Sequence, residues 1–557
     1  MTAPAPHQPP GTLVELLARS VADFAGRDAL VTVEERLTYA DLDGLTRRYT
    51  RSLVALGVGK GSRVGVLMEN VPDWLALDFA VTGLGAVLVP LSTFATPADL
   101  AYQLRHADVS HLLMSRRFLK HDYLAGLLLV VPELERAEPG RLYAPGLPAL
   151  RHVVVRGETD TLPAGATGWK AFVAAAEGVP ADLVDELRAE VDPEDDCYLL
   201  YTSGTTAKPK GALHRHAAVA GNGWRIGEHQ QLEPADVVWF YFPLFFSAGC
   251  INVSLGSLSH GAALLLQPVF EPEVALELIE REGATTWHLW PHTLKALMAH
   301  PDWERRDHHR LHKGTAPYDL MLGLTSEAGV GGVNMYGMTE TCTAFTCTAA
   351  SDPPEVRSRT QGSPLPGCEL RITDPDSGAV LPPGTEGEIR VKGPNVLRRY
   401  YKVDPATTFD ADGFFPTGDL GLVRDDGRLV FLRRLKDTIK TGGVNVSPAE
   451  VEAALREIPG VGEAYAFGIP SADRGEDVAA AVVPAGPLTE EGLLAAAHQV
   501  LAGPKRPRAV LILTADEVPM TGSGKVRVGA LRDRLLEEMS TPATDGASRT
   551  PGGTHGT

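Results

Sequence analysis

Cysteine and lysine are both scarce in this chain. Five cysteines (Cys197, Cys250, Cys342, Cys347, Cys368) among 557 residues are too few for a disulfide framework, and none forms a CxxC pair with nearby histidines. A reducing cytoplasmic setting without structural zinc is expected. Long apolar runs are missing too. The longest, around Leu124 to Val131, stops at Pro132, well short of the roughly 20 residues that span a bilayer. The opening MTAPAPHQPP lacks the basic and apolar regions of a signal peptide, so residues 1–10 are expected to be a disordered lead-in. Positive charge is in deficit: 52 Lys+Arg against 70 Asp+Glu give a net charge of −18. That excludes the electrostatic footprint of a nucleic-acid binder and leaves little attraction to anionic lipid. Only 13 residues are lysine, so where they sit becomes a signal.

What remains is ordinary globular material, 44% apolar and 22% charged. The length allows about three to five domain-sized units. From Gly11 to about Val191 helical and strand patterns alternate. Asp41–Leu56 has helical spacing and stops at Gly57; RVGVLM from Arg63 reads as a buried strand; Thr96 and Pro97 form an N-cap and N1 pair. The pattern recurs from Asp236 to His300, with a strand at Ala262–Leu266, a helix at Pro272–Glu282 and a strand at Thr285–Trp290. Alternation of this kind implies βαβ units and a parallel sheet. Residues 351–432 are rich in Gly, Pro and β-branched positions and predict a β-rich subdomain. After Lys436 a compact α+β pattern returns, and the Gly/Thr/Pro-rich tail 541–557 is expected to be disordered.

Several short segments carry chemistry. The segment YTSGTTAKPKG, Tyr201 to Gly211, follows an apolar strand and packs hydroxyls, glycine and two lysines into one loop. Successive backbone N–H groups in such a loop can cradle an anion, and the lysines neutralise phosphate. It is not a Walker A loop, because GxxxxGK[ST] is absent. Further along come GTAP at Gly314, NMYGMTET from Asn334, GEIRVKG from Gly387 followed by Tyr400 and Tyr401, TGDLG from Thr417, LRRLKD from Leu432, TGGVNVSP from Thr441 and PMTGSGK ending at Lys525.

In this order the segments resemble the signatures of the adenylate-forming superfamily, the acyl-CoA synthetase and AMP-dependent ligase family, over residues 11–540. The chain departs from the pattern at Ala207, Arg399 and Arg433, which stand where the family usually has Gly. The resemblance implies an α/β fold. A large N-terminal adenylation domain (11–433) would combine parallel-sheet αβα lobes with a β-rich subdomain. A hinge (434–437) would lead to a small mobile α+β C-terminal domain (438–540). It also implies site roles. Thr202, Ser203, Gly204, Thr205, Thr206 and Lys210 would hold phosphate. Gly314, Ala316 and Pro317 would form one wall of the adenine site, with Tyr336 and Gly337 beside the ring. Thr339 would contact phosphate and Glu340 would bind Mg²⁺. Asp419 and Arg434 would bind ribose, and Lys436 would be the pivot. Lys440, Gly442 and Gly443 would line a CoA tunnel. Lys525 would reach the reacting carboxylate and phosphate. Of the 13 lysines, Lys208, Lys210, Lys436 and Lys525 fall in these segments and Lys440 adjoins one of them.

The implied reaction joins a carboxylate to ATP, releasing pyrophosphate, and then transfers the acyl group from the adenylate to CoA, releasing AMP. An acyl pocket is expected near WFYFPLFF (Trp239 to Phe246) and TTWHLWPH (Thr285 to His292), with Phe245, Phe246, Gly249, Trp290 and Cys342 as its members. Such aromatics suit an aromatic or medium apolar acid, although WFYF also reads as a buried parallel strand. Trp287, His288, Trp290 and His292 read as an aromatic and polar wall, or as core. The alternative keeps adenylation and changes the acceptor to a carrier-protein thiol, an amine, or nitrite-derived chemistry on an arylamine. A non-catalytic nucleotide-binding regulator would be expected to lack Lys525 or Glu340. The partners are therefore a small carboxylic acid, ATP and CoA, with no nucleic acid and no membrane span. Monomer and homodimer both stay open.

Overall fold

The computed structural model describes residues 8–157, 161–202, 209–314, 322–323, 329–435, 439–441, 444–471, 474–501, 503–520 and 526–540. The chain divides into two compact units. One comprises residues 1–417 with 421–431, the other 418–420 with 432–557.

The first unit holds two large sheets. An eight-stranded sheet runs in the order Arg399–Tyr400, Gly211–Arg215, Asp196–Tyr201, Val87–Pro90, Arg63–Leu67, His111–Ser115, His152–Arg156 and Ala166–Gly168. Its middle is parallel, as the alternating pattern predicts. The six-stranded sheet joins Lys313–Gly314, Thr286–His288, Val237–Phe240, Ala263–Leu265, Asp28–Val31 and Arg36–Thr38. The helices between strands start as their sequences dictate. At Pro97–His106 the Thr96 hydroxyl accepts from the Asp99 N–H and Asp99 reaches back to the Thr96 N–H, a reciprocal cap with Pro at N1. Tyr39–Ala55 opens on the same device through Thr38 and Asp41. Pro72–Thr82 lies between the sheets and is buried nearly all round, including Trp74, Leu75, Leu77 and Phe79.

Two smaller sheets follow. One pairs Met335–Tyr336, Thr346–Cys347 and Ser363–Pro364; the other orders Glu369–Thr373, Gly387–Lys392, Phe415–Val423 and Leu429–Arg434. This is the β-rich region that the composition of residues 351–432 predicts.

The second unit centres on the long hairpin Val461–Ser471 and Gly475–Pro484. Its pleat sorts side chains between two cores. Val478, Ala480 and Val482 meet Val451 and Leu455 of helix Pro448–Arg456 and Leu493 and Ala497 of helix Glu490–Val500. Ala479 and Ala481 meet Leu531 and Leu535 of helix Val528–Ser540 on the other face. The fold class is thus the α/β class expected, with a compact α+β C-terminal unit. All five cysteines are free. Among the described residues no helix is long and apolar enough to cross a membrane.

Candidate functional site

The strands flanking the YTSGTTAKPKG segment pair antiparallel, which the sequence did not disclose. Strand Asp196–Tyr201 returns antiparallel as Gly211–Arg215, with Tyr201 opposite Gly211, and the Thr202 N–H donates to the Lys210 carbonyl at 3.0 Å. Thr202 and Lys210 therefore sit side by side at the base. Ser203, Gly204, Thr205 and Thr206 lie outside the described residues, as do Ala316, Pro317, Lys436, Gly442, Gly443 and Lys525. The strand Gly211–Arg215 continues the sheet to Arg399–Tyr400, pairing Ala212 with Tyr400. Tyr400 thereby meets both Lys210, whose ammonium lies 4.8 Å from the ring centroid, and Glu340, whose Oε1 accepts from the Tyr400 hydroxyl at 2.6 Å.

Glu340 is 7% exposed and belongs to a tight turn. Thr339–Thr341 forms a single 3₁₀ turn, followed by two residues at positive φ that are not glycine, Cys342 (51°) and Thr343 (81°). Such angles are costly for side chains with a Cβ, above all a β-branched one, so the surroundings must impose them. Buried Asn222, on helix His216–Gln230, donates to the Cys342 carbonyl at 2.8 Å and the Ala344 carbonyl at 3.0 Å. Buried Asn395 donates to the Ala344 carbonyl at 2.8 Å and to Asn222 Oδ1 at 3.2 Å. The Leu397 N–H donates to the Glu340 carbonyl at 2.7 Å. Gly337 is required where it stands: a Cβ there would lie 1.8 Å from the Thr343 carbonyl oxygen. The oxygen-only chemistry of the Glu340 carboxylate and the neighbouring Thr339 hydroxyl fits a hard cation such as Mg²⁺. That ion takes one or two carboxylates and completes its shell with phosphate and water.

Tyr336 is 6% exposed and pairs in register with Thr346. Its ring stacks on Phe431, centroids 5.8 Å apart and 24° from parallel. Phe431 is 37% exposed and was not read from the sequence. Gly314 has φ +115°, and a Cβ there would come within 1.9 Å of the Trp287 carbonyl oxygen, so only glycine fits. In the second unit Asp419, nearly buried, forms an ion pair with the half-exposed Arg434 guanidinium, Nε to Oδ1 3.1 Å. Lys440 lies on strand Ile439–Thr441; its side chain is outside the described set.

The expected acyl-pocket residues divide. Phe245 meets Phe246 at 4.3 Å between centroids and Phe94 edge-on at 5.5 Å. Trp290 meets Phe242 at 5.0 Å and Phe246 at 6.5 Å. Asn70 pins this loop, donating to the Phe242 carbonyl and accepting from the Leu244 N–H. Gly249 lies in a π-helix, Ala248–Leu255, and a Cβ there would meet the Pro243 carbonyl oxygen at 2.4 Å. Cys342 is fully buried with its thiol 3.2 Å from His214 Nδ1. Burial pushes the Cys342 thiol up and holds the His214 imidazole down at about 4.

The stretch from Thr285 to His292 is not one wall. The strand ends at His288, and Trp290 caps the helix Pro291–Met298, because the residue before a proline is forced extended. Trp287 points into a core beside Trp239, while His288 points the other way, buried against the Phe242 ring. The side chain of His292 is outside the described set. Trp239 and Phe240 are fully buried in a parallel strand, the structural alternative for WFYF.

Comparison with known proteins bears directly on this arrangement. The family "AMP-binding enzyme" matches residues 17–401 and "AMP-binding enzyme C-terminal domain" residues 450–525. The chain is 32% identical to the indoleacetate–CoA ligase of Aromatoleum aromaticum, over 94% of this chain and 98% of the relative. It is 34% identical to a feruloyl-CoA synthase of Amycolatopsis, over 90% and 94%. Among solved structures it resembles the amide bond synthetase McbA of Marinactinospora thermotolerans, with TM-score 0.75, 26% identity, and 94% and 99% of the two chains covered. The chain belongs to the AMP-binding enzyme family, the adenylate-forming superfamily of acyl-CoA synthetases, and is an AMP-forming ligase.

Proposed function

We propose that the protein ligates an aromatic or medium apolar carboxylic acid to CoA by way of an acyl-adenylate. The observation that carries the choice of acid is the ring cluster Phe242, Phe245, Phe246 and Trp290 beside the π-helix Ala248–Leu255. Flat apolar faces at these spacings favour a planar ring. The relatives named for indoleacetate and ferulate support the same class.

In this reading a carboxylate oxygen attacks the α-phosphorus of ATP, the bond to the bridging oxygen breaks, and pyrophosphate leaves. The nucleophile is already ionised, so no general base is needed. The obstacle is anion–anion repulsion, which positioning and fixed positive charge overcome. Thr202 to Thr206 and Lys210 hold phosphate, Tyr336 and Gly337 with Gly314, Ala316 and Pro317 hold adenine, and Asp419 with Arg434 holds ribose. Glu340 and Thr339 would hold Mg²⁺, which when bound neutralises phosphate charge. Lys525 offsets charge on the reacting carboxylate and phosphate. The thiol of CoA then attacks the acyl carbonyl and AMP leaves with the oxygen the carboxylate supplied. Lys436 is the pivot between the half-reactions, and Lys440, Gly442 and Gly443 line the thiol's approach.

The second reading keeps adenylation and changes the acceptor to an amine or a carrier-protein thiol, or activates nitrite for diazotisation of an arylamine. The resemblance to an amide bond synthetase favours it. ATP–pyrophosphate exchange across a panel of acids, nitrite included, followed by product identification with and without CoA, separates the two. Acid-dependent exchange with a CoA thioester as product supports the first. A product formed equally without CoA supports the second, and exchange without any acid overturns both.

A further inference from the structure

We infer that Tyr400 is a positioning residue for the cation-binding carboxylate, coupling Glu340 to Lys210 at the base of the phosphate loop. The inference rests on the reading that Glu340 binds Mg²⁺.

The geometry is specific. Tyr400 is 9% exposed and its hydroxyl donates to Glu340 Oε1 at 2.6 Å, inside a largely buried environment. A short bond from a neutral donor to a carboxylate in low dielectric fixes the rotamer of that carboxylate. The face of the same ring carries the Lys210 ammonium at 4.8 Å, within cation–π range. Tyr400 is itself held by strand pairing to Ala212, two residues beyond Lys210, and Leu397 three residues earlier donates to the Glu340 backbone. One side chain therefore sets the separation between a carboxylate and an ammonium that must address the same polyphosphate. Without the hydroxyl, Glu340 keeps its backbone tether but its carboxylate is free to rotate. Without the ring, Lys210 also loses its seat.

Two substitutions and one control test this. Divalent-cation affinity is read directly with Mn²⁺ as the probe, by electron paramagnetic resonance titration of the full chain with a non-hydrolysable ATP analogue. ATP–pyrophosphate exchange is then followed against Mg²⁺ concentration. Tyr400→Phe is expected to weaken Mn²⁺ binding about ten- to a hundredfold, as loss of a hydrogen bond to a charged metal ligand does. It should raise the half-saturating Mg²⁺ by more than it lowers kcat. Tyr400→Leu is expected to raise KM for ATP as well, while Tyr400→Phe does so far less. Glu340→Gln is the control. If Glu340→Gln leaves Mn²⁺ affinity unchanged, the metal reading fails and this inference with it. If Glu340→Gln weakens Mn²⁺ but folded Tyr400→Phe matches the parent, the positioning role alone is overturned. A Tyr400→Phe that lowers kcat with no change in Mn²⁺ or Mg²⁺ dependence also overturns it.

Discussion

Replacing Asn222 by alanine should destabilise the Glu340 turn out of proportion to the few atoms removed. The side chain is fully buried and donates to the Cys342 and Ala344 carbonyls at 2.8 and 3.0 Å, while its oxygen accepts from Asn395 at 3.2 Å. Ala344 keeps its bond from Asn395 at 2.8 Å, so alanine costs that carbonyl little. The Cys342 carbonyl and one Asn395 donor lose their partner. A lost buried bond is worth about 1 kcal/mol net, and an orphaned buried group about 1–3 kcal/mol. The same bonds restrain two positive-φ residues whose strain is of order 1–3 kcal/mol each. A loss of about 2–4 kcal/mol follows. Urea unfolding followed by a probe in the first unit measures it, with KM for ATP measured in parallel. The turn carries Glu340, so KM should rise in protein that is still folded. A loss below about 0.5 kcal/mol with KM unchanged would refute the claim that Asn222 imposes the turn.

Other outcomes follow from the same geometry. Thr343→Gly should stabilise by about 1 kcal/mol, because it removes a β-branched residue at φ 81° and a buried hydroxyl with no partner among the described residues, against about 0.5–1 kcal/mol of extra chain entropy; a clear loss in urea unfolding would contradict this. Burial holds His214 and His216 at about 4 and His288 at about 3. Their stability is present above the ordinary histidine value and is lost as pH falls from about 6.5 towards 4, each at up to about 1.4 kcal/mol per pH unit. Asp78, pushed up to about 7 by burial despite the Tyr198 bond, acts oppositely over about 4 to 7. Urea midpoints should therefore fall between pH 7 and 5, and fall more steeply in Asp78→Asn; midpoints flat with pH would be wrong for this account. Lys525→Ala should abolish adenylation yet spare thioester formation from preformed acyl-adenylate, whereas equal loss of both half-reactions would remove Lys525 from its assigned role.

Much of the frame was legible because local signals and tertiary context agree. Thr96 with Pro97, and Gly57 (φ 80°) after the helix Tyr39–Ala55, mark helix ends by chemistry that survives folding. The apolar runs became parallel strands because both faces are covered. The site was legible as a set of segments but not as an assembly. The antiparallel return of Gly211–Arg215 leaves no turn signature distinct from the loop itself. The π-helix at Ala248–Leu255 has no sequence period of its own. Asn222, Asn395 and Tyr400 act through partners 51 to 173 residues away, and only three-dimensional structure brings such groups together. The left-handed turn that brings the Cys342 thiol to His214 has no sequence signature either.

Transfer of oxygen is the most direct test of the central claim that a carboxylate attacks the α-phosphorus of ATP. The acid that best supports exchange is supplied with both carboxylate oxygens as ¹⁸O, and the nucleotide product is read by mass spectrometry after a full turnover. The account predicts AMP carrying one ¹⁸O and unlabelled pyrophosphate. AMP without label, or label in phosphate released together with ADP, would contradict it.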